Sequence, residues 1–309
     1  MAVYMKGRHL VSLTDLTAEE IYQIFDLTKK LKLERYSGRY DELLAGMTLG
    51  MIFEKPSLRT RLSFEVAMSD LGGHAIYLGP GDIQMGKRET TKDIATVLSS
   101  MVHGIMARTF KHETVTELAK YSRVPVINAL SDYSHPMQGL ADYFTILEKL
   151  GTVRGVNLTY IGDGNNVAHS LIFGGAILGA NVTICTPKGH EPLQKVVDYG
   201  KELAFKSKGI IQVTNDVSEA AKGADVLYTD VWVSMGQEGE TDKKSEFAGY
   251  SINTQVLEMA KPGALIMHCL PAHYGEEIDY EVTKEPGCVM YDQAENRLHT
   301  TKAVLALLM

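Results

Sequence analysis

Cysteine is scarce in this chain of 309 residues: Cys185, Cys269 and Cys288 are all it has. They are far apart and in no paired metal-ligand spacing, which excludes a disulfide framework and gives no zinc signature; a reducing cytosol is the compartment that fits. Long apolar runs are missing too. No stretch reaches the ~20 apolar residues that cross a bilayer, and residues 1–13 lack a continuous apolar region, so neither export nor membrane insertion is expected. Positive charge is in deficit, with a formal net charge of -7. That argues against general nucleic-acid binding while leaving room for a local basic pocket. Internal repeats and low-complexity tracts are absent. What is present is an apolar share of 45%, enough to fill two cores of ordinary size. A soluble, two-lobed protein with a small anionic ligand is expected.

Thr17 and Glu20 form a capping box, and Ile21, Ile24, Phe25, Thr28 and Leu31 follow at helical spacing, which predicts a first amphipathic helix. Strand-like and helix-like segments then alternate: strand 48–53, a helix from 57 to 71 stopped by Gly72-Gly73, and strands 75–78, 104–107 and 125–128. A helix from about 136 to 149 ends at Gly151, where the domain boundary is placed. A second series has strands at 158–161, 182–185, 210–213, 226–229 and 264–268, with a polar, mobile-looking loop at 236–249. Residues 296–309 read as an apolar-faced helix too short for a third domain, so it must pack on one of the two. Such alternation predicts an α/β fold of two doubly wound parallel-sheet domains, 1–150 and 151–309, with ligands at the carboxyl ends of the strands.

Ser57-Leu58-Arg59-Thr60-Arg61 opens a helix directly after the first of these strands. A helix N-terminus offers unpaired N–H groups and about half a positive charge, and hydroxyls with guanidinium forks added there match phosphate oxygens. The plain alternative is an N-cap serine with solvated arginines. His135 and Gln138, in His135-Pro136-Met137-Gln138, lie about one turn apart at another helix start and can face one small ligand, unless Pro136 merely begins the helix. Arg108 directly follows a strand, where an isolated arginine is otherwise a surface residue. Tyr160-Ile161-Gly162-Asp163-Gly164 begins like a dinucleotide fingerprint, but Val167 stands where the third glycine would. The next strand ends Ile184-Cys185-Thr186-Pro187 without the acidic residue that holds a ribose, which disfavours a nicotinamide dehydrogenase. That turn can still present Asn166 to a small substrate. Asp230, at a strand end, can bind an amine or only cap a turn. Cys269, in His268-Cys269-Leu270-Pro271, can meet the same amine or be an inert thiol. Arg297 falls at the start of the last predicted helix, the end disfavoured for its charge; a structural salt bridge is the bland reading.

Together these segments resemble the aspartate and ornithine carbamoyltransferase family from end to end. Residues 53–61 resemble its carbamoyl phosphate loop, and residues 135–138 resemble its second signature. Asp230 with Ser234-Met235-Gly236, and His268-Cys269-Leu270-Pro271, resemble its ornithine-type signatures. Leu58 departs from the common Ser-Thr-Arg-Thr pattern. The resemblance implies that Ser57, Leu58, Arg59 and Thr60 bind phosphate, and that Arg108, His135 and Gln138 bind the carbamoyl end. Gln84, from across a subunit interface, would complete the site with Pro136, Met137, Cys269, Leu270 and Arg297. Asn166, Asp230, Ser234 and Met235 would hold ornithine. A homotrimer or a multiple of it with shared active sites is also implied, as is a last helix, about 296–309, crossing back to the first domain.

The implied reaction is attack by the uncharged side-chain amine of L-ornithine on the carbonyl carbon of carbamoyl phosphate, giving L-citrulline and phosphate. Arg108, His135 and Thr60 would stabilise the oxyanion, with Asp230 and Cys269 as the candidates for receiving or orienting the amine proton. No metal or nucleotide is required, because carbamoyl phosphate is already activated. Binding in two lobes implies that carbamoyl phosphate binds first and ornithine after domain closure. The alternatives are a carbamoyltransferase for another amine, such as putrescine or an acylated ornithine, and a noncatalytic binding protein on the same fold. Retention of Arg59, Arg108, His135, Gln138, Asp230, Cys269 and Arg297 speaks against the latter.

Overall fold

Five of the six residues of β1 (Thr48–Phe53) are buried, which is why this strand reads as a continuous apolar run instead of alternating: parallel sheets are covered on both faces. The computed structural model describes residues 2–83, 85, 88–233 and 243–309. They fall into two units, Met1–Phe144 with Glu295–Met309, and Thr145–Ala294.

In the first unit, α1 (Ala18–Tyr36) starts at the predicted capping box, where Thr17 Oγ1 accepts from Glu20 N at 3.3 Å and the Glu20 carboxylate accepts from Thr17 N at 2.9 Å. Its buried stripe is the predicted one plus Glu20. After β1 come α2 (Leu58–Asp70), β2 (His74–Leu78), α3 (Pro80–Ile83), α4 (Thr91–Leu98), β3 (Gly104–Arg108), α5 (His112–Tyr121), β4 (Val126–Leu130) and α6 (Pro136–Leu150), whose residues from Thr145 onward belong to the second unit. The strands pair in parallel in the order β2-β1-β3-β4. Ile52, Ile94, Ile105, Val115, Leu118 and Val126 form one buried cluster of this unit. The register sets Phe53 opposite Arg108 and Arg108 opposite Leu130, so β1, β3 and β4 deliver their following residues to one edge.

The second unit runs through β5 (Asn157–Ile161), α7 (Asn166–Leu178), β6 (Asn181–Cys185), α8 (Gln194–Ser207), β7 (Ile210–Thr214), α9 (Val217–Ala221), β8 (Val226–Thr229), α10 (Lys243–Glu246), α11 (Thr254–Met259) and β9 (Leu265–His268). Its parallel sheet has the order β7-β6-β5-β8-β9. Thr229 pairs with His268, so Asp230 and Cys269 leave adjacent strands side by side. In the loop predicted at 236–249, residues 243–246 form α10, while 236–242 lie outside the described residues.

The last helix, α12 (Met290–Leu308), begins at Met290 and not at 296. Its extra turn has no Ser, Thr, Asp or Asn cap and only a mixed polar sequence, so no periodicity announces it. Arg297 therefore sits about two turns inside the helix, which removes the objection to its charge at a helix start. Residues up to Ala294 belong to the second unit, where Gln293 Oε1 accepts from His268 N at 2.9 Å. From Glu295 the helix returns to the first unit: Lys302 Nζ donates to Asp70 at 3.1 Å, and Leu308 O accepts from Gly7 N at 2.8 Å.

Candidate active site

At the carboxyl edge of the first sheet, Ser57 caps α2, its Oγ accepting from Thr60 N at 3.3 Å. That leaves the hydroxyl hydrogen and the first helical N–H groups for a ligand. Thr60, Arg108, His135, Gln138 and Arg297 are all buried. Arg297 Nη1 donates to Gln138 Oε1 at 2.6 Å and Nη2 stands 3.5 Å from Thr60 Oγ1, while Gln138 Nε2 donates to Asp142 Oδ1 at 2.8 Å. Gln138 is thus tethered at both ends, one turn into α6 from His135.

The electrostatics of this cluster are one-sided. Burial, then Arg297 and Arg59, lower the Arg108 guanidinium to about 10. Arg108 is 4% exposed, and among the described residues it has no carboxylate or hydrogen-bond partner for its side chain; its Nε is a buried donor left unmade. Burial, then Arg297, Arg108, Lys55 and Arg59, hold His135 well below its usual value, so its imidazole is neutral. A buried, unpaired cation facing further cations is costly unless an anion joins it. The geometry therefore asks for an anion and sets a neutral hydrogen-bonding imidazole beside it.

Three expectations are refined here. Arg61 is turned away from this cluster: its Nε pairs with Glu65 at 2.9 Å and its guanidinium stacks 4.2 Å from the Tyr77 ring centre, so Arg59 remains as the cation of the pentapeptide near His135. The Leu58 side chain is 72% exposed, which leaves its backbone N–H as what it can offer at the start of α2. Met137 is fully buried core, so it too can contribute only main-chain groups at the start of α6, where Pro136 is the first residue.

In the second unit, the β5–α7 turn and the ends of β8 and β9 meet. Asn165 caps α7, its Oδ1 accepting from Val167 N at 2.9 Å and Ala168 N at 3.2 Å, and its Nδ2 donates to Asp230 Oδ2 at 2.9 Å. Asn166 is the first residue of α7. Asp230 Oδ1 accepts from Val231 N and from Cys269 Sγ, each at 2.8 Å. Leu270 is held left-handed at φ 60, its N–H donating to His268 Nδ1 at 2.8 Å. With Nδ1 accepting, His268 presents Nε2–H to the buried Glu277 Oε1 at 2.9 Å. Burial raises the Glu277 carboxyl, but the hydrogen bonds from His268 and His273 N outweigh it and the net shift is downward. Gln84, Ser234 and Met235 lie outside the described residues.

Sequence reasoning missed Asn165, His268 and Glu277. The Asn165 cap between Gly164 and a helical run was a readable signal; the His268–Glu277 pair was not, since nothing in its spacing marks it.

Two family models divide the chain between them. The model of the aspartate/ornithine carbamoyltransferase carbamoyl-P binding domain matches residues 8–148, and that of the Asp/Orn binding domain matches residues 154–308. The chain belongs to the aspartate/ornithine carbamoyltransferase family. Among its relatives, the ornithine carbamoyltransferase of Pyrococcus abyssi is 53% identical over 310 residues, covering 100% of this chain and 98% of the relative. The anabolic ornithine carbamoyltransferase of Pyrococcus furiosus is also 53% identical, with the same coverage. The solved ornithine carbamoyltransferase from Pyrococcus furiosus superposes with a TM-score of 0.97 at 52% identity, covering 100% of this chain and 99% of that one. The anabolic enzyme from Campylobacter jejuni gives 0.91 at 39% identity, with 96% and 97% covered. The carbamoyl-P model spans most of the cation-rich cluster, and the Asp/Orn model spans Asp230 and Cys269.

Proposed function

We propose that this chain transfers the carbamoyl group of carbamoyl phosphate to the side-chain amine of L-ornithine, giving L-citrulline and phosphate. The observation that carries the reading is the cluster of the buried Arg108 and Arg297 and the half-buried Arg59 around a neutral His135, which has cations for a phosphate and a neutral donor for a carbonyl. Names of relatives at about half identity, and the Asp230–Cys269 pair at 2.8 Å, support ornithine as acceptor.

In this reading Ser57, the N–H groups of Leu58 and Arg59, Thr60 and Arg59 bind the phosphate, and Arg108, His135 and Gln138 hold the carbamoyl group. The main chain of Pro136, Met137 and Leu270, with Cys269 and Arg297, completes the carbamoyl phosphate contacts, and Gln84 joins them from a neighbouring subunit. Asn166, Asp230, Ser234 and Met235 bind ornithine. The amine nitrogen forms a bond to the carbonyl carbon, the bond from that carbon to the phosphate oxygen breaks, and the nitrogen gives up a proton. Negative charge gathers on the carbonyl oxygen, where Arg108, the imidazole N–H of His135 and the Thr60 hydroxyl stabilise it; one such donor is worth ~3 kcal/mol of barrier. Ornithine's amine is mostly protonated at neutral pH, since its pKa is ~10, and Asp230 with Cys269 orients it for proton loss.

The chain forms a homotrimer or a multiple of one. Support comes from β2, an edge strand of the first sheet whose Ile76 is exposed, and from the exposed Leu58 and Leu62 of the adjoining α2, a free edge with apolar neighbours that association would cover. The protein is cytoplasmic; no helix of the described residues is long and apolar enough to cross a membrane. The anabolic relative supports the direction toward citrulline and arginine biosynthesis.

The test is citrulline formation from carbamoyl phosphate with L-ornithine, run beside putrescine, N-acetylornithine and aspartate. Product with ornithine alone is expected. Preference for putrescine or N-acetylornithine would overturn the acceptor assignment, and silence with all four from folded protein would overturn transfer itself.

A further inference from the structure

The ornithine half-site is held from behind by an ionic clasp that none of the binding residues belongs to. Asp163 occupies the β5–α7 turn just before Asn165 and Asn166, and its side chain is only 14% exposed. Lys243, the first residue of α10 and itself 8% exposed at its side chain, donates from Nζ to Asp163 Oδ2 at 3.1 Å. His190 Nδ1 lies 3.5 Å from the other Asp163 oxygen, and His190 Nε2 makes a short contact with Glu246, the last residue of α10. The turn cannot drift from this segment. Gly164 N donates to His190 O at 2.8 Å, and a Cβ on Gly164 would stand 2.3 Å from Pro192 N. The chain beyond α10 is fixed as well, because the fully buried Phe247 stacks on Trp232 at 5.7 Å, two residues after Asp230, and lies 4.8 Å from the His190 ring. Trp232 and α10 are thus both anchored, one beside Asp230 and the other on the turn that carries Asn165 and Asn166.

Asp163 needs this partner. Burial raises its pKa, Lys243 and His190 pull it back, and Asp230 raises it further. Without Lys243, Asp163 is a buried carboxylate beside a second one, and it must take up a proton or swing toward water. A swing toward water moves the turn, and a proton removes the ion pair that ties the turn to α10; either loosens the support under Asn165 and Asn166.

We propose that Lys243 is a positioning residue for the amino-acid acceptor. It acts through Asp163 on Asn165, Asn166 and Asp230, without touching either substrate, and His190 reinforces it. The inference rests on the transfer reading and adds a residue to it.

The experiment uses the full chain and measures steady-state constants for both substrates in the parent, Lys243→Met, Lys243→Arg, Asp163→Asn and the Lys243→Met/Asp163→Asn double variant, with His190→Gln as a milder probe. Thermal melting followed by circular dichroism serves as the check on folding, since Trp232, the chain's one tryptophan, stacks beside the substituted residues. Lys243→Met is expected to raise the KM for ornithine about tenfold or more while that for carbamoyl phosphate stays within about twofold. Lys243→Arg should restore most of the loss. The double variant should lose less than the two single losses combined, as coupled partners do. His190→Gln should shift the same constant in the same direction by less, so a Lys243→Met protein that fails to fold leaves the test intact. Ornithine KM unchanged in Lys243→Met, or in His190→Gln where Lys243→Met does not fold, overturns the positioning role while the parent still makes citrulline. Equal loss for both substrates overturns it too, as does full additivity in the double variant. A parent that makes no citrulline overturns the transfer reading and this proposal together.

Discussion

The two half-sites solve opposite electrostatic problems. In the first unit, Arg108 is buried with cations for neighbours and without a carboxylate partner among the described residues, and His135 is kept neutral by the same field. In the second, Asp230 is buried among donors, an amide from Asn165, an N–H from Val231 and a thiol from Cys269, with Asp163 as the like charge nearby. In the proposed reading the first half-site is thus incomplete until an anion arrives, whereas the second already holds its carboxylate among donors. Binding energy from phosphate can therefore be spent on bringing buried cations into use, and it need not stabilise the ground state.

That contrast is broken most sharply at Arg108. Arg108→Ala should reduce kcat/KM by about a thousandfold, the size seen when one oxyanion donor is removed. Its melting temperature should stay close to the parent's, because an unpaired buried cation is relieved as packing is lost; near-normal kinetics would remove Arg108 from the site. Asp230→Asn keeps the shape of the second half-site and removes its charge. A rise of about a hundredfold in ornithine KM/kcat is expected in steady-state kinetics, with carbamoyl phosphate affinity nearly unchanged by direct titration.

His135 makes a pH prediction with a definite sign. Its folded pKa lies well below 6.5, so as pH falls below about 6.5 the unfolded chain takes up a proton that the folded chain refuses, and stability is lost toward acid. His135→Gln should remove up to ~1.4 kcal/mol of that loss per pH unit below 6.5, read as a flatter pH dependence of the melting temperature. His9 and His299 are also shifted downward but remain in both proteins, so the difference isolates His135. An unchanged slope would mean that the imidazole is not held neutral. The smallest effect belongs to Arg61. Its contacts are an exposed pair with Glu65 and the Tyr77 ring, so Arg61→Ala should cost about 1 kcal/mol of stability or less and leave turnover within about twofold. Arg59→Ala should weaken carbamoyl phosphate binding far more, and equal losses at the two positions would refute the division between them.

Much of this was legible in the chain itself. Strands buried on both faces read as apolar runs, so their carboxyl ends could be placed to within a residue or two, and with them Arg108, Asp230 and Cys269. What could not be read depends on tertiary neighbours. Arg59 and Arg61 are neighbours on one helix start, and while the Glu65 pairing with Arg61 is local, the stacking on Tyr77 of β2 that turns Arg61 away is tertiary. The early start of α12 carries no cap or apolar period, so Arg297 seemed to lie at a helix end. Asp163 and Lys243 are 80 residues apart, and no local pattern joins them.

The most direct test of the contrast is calorimetric titration of the intact protein with carbamoyl phosphate and with L-ornithine, each alone, and with L-ornithine after the cation cluster is filled by inorganic phosphate, which permits no turnover. Carbamoyl phosphate should bind the empty protein, and ornithine should bind strongly only after the cation cluster is filled. Ornithine binding at full strength to the empty protein, or no binding of carbamoyl phosphate without ornithine, would contradict the division of roles between the two half-sites.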